Sequence, residues 1–238
     1  MKRISFPAVL LLSIAMLFVY SCNKESNKQE QKQEQKTSTT KDTVQTKKEN
    51  TAAGKEVTLS AAEQKKLNVF FSNFSEAYLE PFTAGNISDD ELIKFGVLHN
   101  FINNRKNFQR SGDYLMIKSD AVSKSIEKYF GNTFKAHNPT KDYKYKDGYY
   151  FIQNTDGEAH TFSQVASMSD AGGDRYVALV NVYSASSGWT GDVNGSPKTW
   201  VSDGEEAPEL TGKFKATFSK KNGAKGEAVY NLIDYIKQ

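Results

Sequence analysis

The chain has 238 residues, a single cysteine and a formal net charge of +3. One cysteine excludes an internal disulfide and a cysteine-based metal site. The charge is unevenly distributed, because residues 1–56 carry 10 Lys and Arg against 6 Asp and Glu, whereas residues 57–238 carry 21 against 22. The larger part of the chain is therefore nearly neutral and lacks the basic surplus of a nucleic-acid-binding domain, so we expect no nucleic-acid partner.

The first 22 residues have the layout of an export signal. Two basic residues precede an uncharged, mainly apolar run at 4–20, and the small residue Ser21 stands before Cys22. The residues at 19–22, Val-Tyr-Ser-Cys, resemble the lipobox of bacterial lipoproteins. That resemblance implies cleavage between Ser21 and Cys22 and attachment of acyl chains to the Cys22 thiol. The alternative is that run 4–20 remains as an uncleaved membrane anchor, at the short end of the length that spans a bilayer.

The lipobox resemblance also implies a location and a first partner. Acyl chains on Cys22 would hold the protein in a membrane of the cell envelope, since two chains give stable attachment where one is marginal. The next residue is Asn23 and not Asp, so this position gives no signal for retention in an inner membrane. The outer membrane and the cell surface are therefore open as destinations.

Composition divides the chain into three parts. Residues 1–21 are the expected signal peptide, and residues 22–56 comprise the lipidated cysteine and a tether rich in Lys, Gln, Glu, Thr and Ser, which predicts no fold. As a flexible coil the tether would span roughly 30 to 35 Å. Either it holds the domain away from the membrane, or it gives the export machinery an unstructured segment. Residues 57–238 are long enough for one core and are expected to form a single domain.

Three helices are predicted early in the domain. Ser60 and Ser88 each begin a capping box, and apolar residues recur after each box at helical spacing. The recurring residues are Leu67, Phe70, Phe71, Phe74 and Tyr78 after the first box, and Leu92, Phe95, Leu98 and Ile102 after the second. A third helix is expected over 120–130, and Gly131 is its stop signal.

After residue 141 the hydrophobic period changes to two, which predicts an antiparallel meander. Its runs are 149–153, 161–168, 176–185, 214–218 and 229–236, and a short strand at 114–118 lies between the helices. An Asp-Gly pair at 156–157 predicts a hairpin joining the first two runs. The last run also fits a helix, but its Val, Tyr and Ile favour a strand. The predicted fold class is α+β, with three N-terminal helices packed on an antiparallel meander sheet of five to six strands.

This order of elements is similar to the cone-shaped fold of nuclear-transport-factor-like and cystatin-like domains. The resemblance covers about residues 60–236 and rests on element order, not on a sequence motif. It implies a curved sheet wrapped around helices, with a pocket at its open end. Such scaffolds serve both enzymes and non-catalytic binding modules, so the fold does not choose between them.

The three histidines do not occur at a metal-ligand spacing. His99 borders the apolar face of the second predicted helix, where it is either a general base in a pocket or a structural hydrogen-bond donor at the edge of the core. His137 lies in a loop and His160 at the start of a strand. Neither pattern assigns a catalytic role, and no cofactor is expected.

One loop resembles the start of a calcium-binding loop of the EF-hand type. Asp192, Asn194, Ser196 and Asp203 occupy its positions 1, 3, 5 and 12. However, Pro197 replaces the glycine that such loops need at position 6, and Asp is shorter than the usual Glu at position 12. The other interpretation is a plain turn.

The segment 186–210 is long, has poor periodicity and contains both tryptophans, Trp189 and Trp200. Loops of this length in compact domains are usually functional or disordered. Either the two rings form a stacking surface for a glycan or a partner protein, or they pack beneath the sheet as a satellite core, with 199–202 as an extra strand.

Together these patterns predict a lipid-anchored protein of the bacterial cell envelope that acts as a non-catalytic binding or interaction module. One alternative is a pocket enzyme, a hydrolase or isomerase, that uses His99 or a pocket carboxylate. Another is an envelope chaperone or assembly accessory, which would present an exposed apolar groove.

Overall fold

The structure is a computed structural model that describes residues 54–131, 134–155, 161–200 and 206–238. The predicted signal peptide, Ser21, Cys22 and nearly all of the tether lie outside the described residues. The same holds for His160, Asp203 and the Asp-Gly pair at 156–157.

The described part of the chain forms three α-helices and nine β-strands. The helices are α1 (Ala61–Glu76), α2 (Asp89–Asn104) and α3 (Ser119–Phe130). The strands are β1 (Lys55–Glu56), β2 (Gln109–Ser111), β3 (Tyr114–Lys118), β4 (Lys144–Lys146), β5 (Tyr149–Gln153), β6 (Thr161–Gly172), β7 (Arg175–Ser184), β8 (Glu209–Asn222) and β9 (Ala228–Lys237).

The strands form two antiparallel sheets. The larger has the order β1-β6-β7-β8-β9 and the smaller the order β2-β3-β5-β4. Aromatic and aliphatic side chains from all three helices and from both sheets share one core. The α+β class is therefore confirmed, and the final run is a strand, β9, as its composition predicted.

Two details of the predicted fold are wrong. The helices are not strictly N-terminal, because β1, which was not predicted, precedes α1, and β2, also not predicted, joins the predicted strand β3 between α2 and α3. The strand at 149–153 does not form a hairpin with β6. Instead β5 pairs with β3, with Ile117 opposite Tyr150 and Leu115 opposite Ile152. This pairing buries Leu115, Ile117 and Tyr150 together against the helices.

The first strand lies at the boundary between tether and domain. Lys55 and Glu56 pair with Asp170 and Ser169 at the end of β6. Both residues fall in the segment that composition assigns to the tether. The folded domain therefore includes at least two residues before position 57.

The helix ends follow the capping signals in part. Ser60 forms the complete capping box, because its hydroxyl accepts from the backbone of Glu63 while the Glu63 carboxylate accepts from the Ser60 backbone. At the other end of the helical region, Gly131 follows α3 with a φ of 77°. That value lies in the left-handed region that glycine tolerates best, so the predicted stop of α3 is confirmed.

Polar side chains of α1 cover the edge of β6. Gln64 donates to the backbone oxygen of Val165 at 2.9 Å, and Asn68 Oδ1 accepts from the Val165 N–H at 2.9 Å. One helix turn further on, Ser72 accepts from the Ser163 N–H at 2.9 Å. These backbone groups would otherwise be free to pair with another strand. The side chains at 64, 68 and 72 thus replace a neighbouring strand, which explains why β5 is not found here.

We expect Asn68→Ala to lower the free energy of unfolding by about 2 kcal/mol, because it leaves the buried Val165 N–H without a partner. Urea denaturation measures the change. Asn107→Ala is the matched control, since Asn107 is exposed and such a surface change should stay within about 0.5 kcal/mol. Equal losses in the two variants would contradict the proposed role of α1 as a cover for the strand edge.

Candidate functional site

An open cavity of about 410 Å³ lies between the segment that follows α1 and the ends of strands β6 to β9. Its wall includes Ser75 and residues 78–81 on the helix side. On the sheet side the wall includes Thr161, Val182, Ser184, Thr211, Phe214, Tyr235 and Lys237. The wall is mainly apolar, and the volume falls in the range of roughly 300 to 1,000 Å³ typical of small-molecule sites.

The end of α1 places Tyr78 at this cavity. The Leu79 N–H donates to the Phe74 oxygen at 3.0 Å, and the Tyr78 N–H donates to the Ser75 oxygen at 3.1 Å. This is a Schellman motif, whose left-handed position usually holds glycine. Tyr78 occupies that position with a φ of 49°, and its side chain is 57 % exposed. Tyr78 continues the apolar spacing of α1 but lies outside the helix, which ends at Glu76.

Two side chains of α2 hold the segment 78–80 in place. The Lys94 ammonium donates to the Tyr78 oxygen at 2.9 Å and lies 3.3 Å from the Glu91 carboxylate. That carboxylate accepts from the Glu80 N–H at 2.8 Å. The Ser88 hydroxyl caps α2 by accepting from the Glu91 N–H at 3.2 Å. The Glu91 carboxylate thus binds the segment 78–80 at the cavity. The capping-box prediction, by contrast, paired this carboxylate with the backbone of Ser88.

Tyr235 lines both this cavity and a smaller one of about 350 Å³. Its ring lies flat against Phe214 at a centroid distance of 4.1 Å, and its backbone exchanges two hydrogen bonds with Phe82 at 2.8 and 2.9 Å. The Tyr235 hydroxyl is buried and has no hydrogen-bond partner among the described residues. Burial raises the pKa of this phenol.

The cavity offers few groups for catalysis. Among the described residues of its wall there is no His or Cys, and the charged side chains are Glu80 and Lys237. Both of these residues are exposed. The wall therefore combines an apolar interior with two exposed charged side chains of opposite sign, a composition typical of ligand-binding cavities.

His99 lies in the core. It is 7 % exposed, stacks on Phe95 at 5.6 Å and meets the edge of Tyr129 at 4.9 Å. Burial, together with the positive charge of Lys128, lowers the pKa of His99 to about 4, so the ring is neutral at physiological pH. Its Nδ1 is 3.3 Å from Asn103 Nδ2. Neither cavity described above is lined by His99, and these contacts are those of a structural residue.

The Asn103 side chain connects His99 to an acidic residue. It hydrogen-bonds the carboxyl group of Glu76 at the end of α1, and burial raises the pKa of Glu76 to about 7. A neutral imidazole and a carboxyl group that titrates near neutrality thus share one amide. Residue spacing along the chain does not indicate this pair, because Glu76 and His99 belong to different helices.

A second cluster of polar side chains, which the sequence analysis did not predict, contains His137. Its Nε2 lies 2.8 Å from Ser123 Oγ on α3, and its Nδ1 lies 3.0 Å from the Tyr150 hydroxyl on β5. Burial lowers the pKa of His137, while the charge of Asp120 opposes this effect. The ring also packs against Tyr145 at 5.7 Å. The arrangement of hydroxyl, imidazole and orienting group resembles an activated nucleophile, but neither described cavity is lined by Ser123.

Trp189 and Trp200 are buried, with exposed fractions of 7 % and 3 %. Trp189 stacks on Phe162 at 5.6 Å, and Trp200 meets the edge of Tyr183 at 4.8 Å. Tyr183 is an odd number of residues from the core residue Val180 on β7, so this cluster lies on the opposite face of the sheet. The structure therefore places both rings in a satellite core, not on an exposed stacking surface.

Hydrogen bonds fix the loop that contains the two tryptophans. The Trp200 indole donates to the Asp192 oxygen at 2.8 Å, and the Gln164 amide on β6 donates to the oxygens of Val193 and Gly195 at 2.7 and 2.9 Å. Pro197–Thr199 form a single 3-10 turn, where the satellite-core interpretation expected an extra strand to begin. These contacts order the described part of the loop, and residues 201 and 202 of the expected strand lie outside the described residues.

The described polar side chains of the calcium-like loop form hydrogen bonds within the loop and with α1. Asp192 Oδ1 accepts from the Asn194 N–H at 2.9 Å, Asn194 Oδ1 accepts from Asn68 at 3.2 Å, and Ser196 caps the 3-10 turn. Asp203 lies outside the described residues. Within the described ranges no group of three or more His, Cys, Asp and Glu side chains could hold a metal ion.

Comparisons of the chain with protein-family models, with curated proteins and with solved structures give no match. In the part of the chain that the structure describes, no helix has the length and apolar character needed to cross a membrane. The function must therefore be argued from the residues themselves.

Proposed function

We propose that this chain is a lipid-anchored protein of the bacterial cell envelope whose domain is a non-catalytic binding module. The observation that supports the anchor is the Val-Tyr-Ser-Cys sequence at 19–22, directly after an apolar run and before a polar tether. Cys22 would carry the acyl chains, and the tether would link them to the domain.

The open cavity supports a binding role for the domain. It has the size of a small-molecule site, and its wall combines apolar side chains with two opposite charges at the mouth. A binding module needs such a cavity but no activated nucleophile beside it. Both tryptophans are buried, so they give little support to a role in glycan stacking. The cavity gives more support to the binding of a small molecule.

The anchor is tested by feeding cells an alkyne-bearing fatty acid and separating membranes from soluble proteins. We expect the wild-type chain to carry the label and to sediment with membranes, and we expect Cys22→Ala to lose the label, whether or not the uncleaved run 4–20 keeps it in the membrane fraction. Ser26→Ala, in the same polar tether, is the control and should behave as wild type. A Cys22→Ala chain that keeps the label would refute the lipid anchor.

A hydrolase is the second candidate function, supported by the contact of 2.8 Å between Ser123 Oγ and His137 Nε2. In such an enzyme the imidazole would take the Ser123 proton, and the Tyr150 hydroxyl would orient the ring. Acyl transfer also requires donors for an oxyanion and space for the substrate beside the serine.

A fluorophosphonate probe tests the hydrolase directly. If Ser123 is an activated nucleophile, the wild-type chain reacts and Ser123→Ala does not, whereas Ser125→Ala, two residues further along α3, still reacts. We expect no reaction in any of these chains. The contact between Ser123 and His137 would then be structural and would hold the loop that contains His137 against α3. Labelling that depends on both Ser123 and His137 would favour the enzyme over the binding module.

A further inference from the structure

We propose that the open cavity binds a single acyl chain, with the head group of the ligand at the mouth between Glu80 and Lys237. This inference names the ligand class of the proposed binding module and rests on that proposed role. Three features of the cavity support it, namely the polar groups of the wall, the conformation of Tyr78 and the charges at the mouth.

The polar groups of the wall favour a ligand without many hydroxyls. The Ser75 hydroxyl already donates to the Ser72 oxygen at 3.1 Å and accepts from Ser163 at 3.0 Å. The Thr211 hydroxyl donates to the Val182 oxygen at 3.3 Å. A sugar would bury many donors and acceptors against a wall that is mainly apolar and whose Ser75 and Thr211 hydroxyls are already paired, which is costly. An acyl chain makes no such demand and gains from every methylene that it buries.

The backbone of Tyr78 is the second and independent observation. Its φ of 49° is a conformation that glycine adopts freely and that a bulky residue adopts only at a cost. The ring does not repay that cost in the core, because more than half of it is exposed. It forms part of the cavity wall instead. Contact between this ring and an apolar ligand in the cavity would offset the backbone cost at Tyr78.

The mouth of the cavity is also held ready. The bonds from Lys94 and Glu91 fix the backbone of residues 78 and 80, so little ordering of this segment is needed on binding. The exposed Glu80 and Lys237 side chains provide one charge of each sign. A carboxylate head group can pair with Lys237, and a zwitterionic head group can pair with both.

Free fatty acids and lysophospholipids share this chemistry, and photoreactive probes distinguish them. Membranes from cells that produce the full chain are mixed with a fatty acid, or with a lysophosphatidylcholine, that carries a diazirine and an alkyne on its acyl chain. After irradiation the labelled chain is digested with trypsin. We expect light-dependent labels on the peptides 67–94 and 226–237, which contain Tyr78 and Tyr235. The head group that labels more efficiently identifies the source.

Two tryptophan substitutions provide the matched comparison. Ser184 lines the cavity, whereas Ser186 is exposed and outside its wall. We expect Ser184→Trp to reduce labelling of both peptides by about tenfold, as a steric misfit in an apolar pocket does, while Ser186→Trp leaves it unchanged. Equal labelling of the two folded variants, or labels confined to residues 1–53, would overturn the proposal.

If Ser184→Trp fails to fold, Tyr78→Gly decides the question. Glycine relieves the backbone conformation and removes the ring, so the variant should melt at a temperature no lower than wild type and still lose several-fold in labelling. Wild-type labelling of folded Tyr78→Gly would overturn the proposal. The labels are measured on the domain peptides 67–94 and 226–237, in the membrane fraction or in the soluble fraction, depending on which of the two contains the chain. Failure of the lipid anchor and failure of the acyl site therefore give different results.

Discussion

Phe74→Ala is expected to lower the free energy of unfolding by about 4 kcal/mol. The Phe74 ring is fully buried at the centre of the core. It lies 5.0 to 5.7 Å from the rings of Phe70, Phe95, Tyr129 and Phe130, which come from all three helices. Truncation removes these contacts at once and leaves a cavity that three packed helices cannot close.

The loss is large on the scale of a domain, whose total stability is typically about 5 to 15 kcal/mol. Urea denaturation at neutral pH, followed by circular dichroism, measures it. Val69→Ala is the control on the same helix, because Val69 is 54 % exposed and should change stability by less than about 0.5 kcal/mol. A loss below about 1 kcal/mol for Phe74→Ala would contradict the described core.

Glu76→Gln is expected to stabilise the protein at pH 8 by about 2 kcal/mol and to have no such effect at pH 4.5. Burial raises the pKa of Glu76 from 4.5 to about 7. As the pH falls from 7 to 4.5, the folded chain takes up a proton that the unfolded chain does not, so this carboxyl group adds stability. Above pH 7 it is a buried charge, and an uncharged Gln removes the penalty.

A pKa change of this size corresponds to about 3 kcal/mol, and partial exposure of the side chain reduces the expected effect to about 2 kcal/mol. Glu127→Gln, on the exposed face of α3, is the matched loss of one negative charge. Unfolding in urea at several pH values gives the comparison. A difference between Glu76→Gln and wild type that does not vary with pH would contradict the buried carboxyl group.

His99 acts in the opposite direction in the same pH range. Its pKa is lowered from 6.5 to about 4, so below pH 6.5 the unfolded chain takes up a proton that the folded chain does not, and stability falls. The contributions of Glu76 and His99 therefore oppose each other between pH 4.5 and 6.5. As the pH falls from 7 to 4.5, the free energy of unfolding of His99→Gln should therefore rise by about 2 kcal/mol relative to that of wild type.

Local signals predicted the helices well. Ser60 with Glu63, the spacing of Leu67, Phe70, Phe71 and Phe74, and the glycine after α3 all depend on residues within a few positions of one another. Such interactions can be recognised in the sequence because the helix geometry that brings the residues together is known beforehand.

Strand partners were harder to predict. The run at 149–153 and its neighbour at 161–168 are separated by a turn signal, yet β5 pairs with β3, more than 30 residues earlier. The reason is that Gln64, Asn68 and Ser72 occupy the edge of β6. Nothing in the alternation of β5 and β6 indicates that a helix will cover that edge.

The candidate site was not predictable, because its main residues are unremarkable in sequence. Tyr78 continues the apolar spacing of α1, and it is exposed because the helix ends at Glu76, five residues before Pro81. Tyr235 looks like any apolar strand residue. The contact between Ser123 and His137 joins a helix to a loop 14 residues away, and no short motif describes it.

The mature N-terminus of the protein, isolated from membranes and analysed by mass spectrometry, tests the central claim most directly. The lipid-anchored binding module predicts a chain that begins at Cys22, with a mass increased by acyl chains on that residue. A membrane-associated chain that still begins at Met1, or a mature chain whose Cys22 is unmodified, would contradict it.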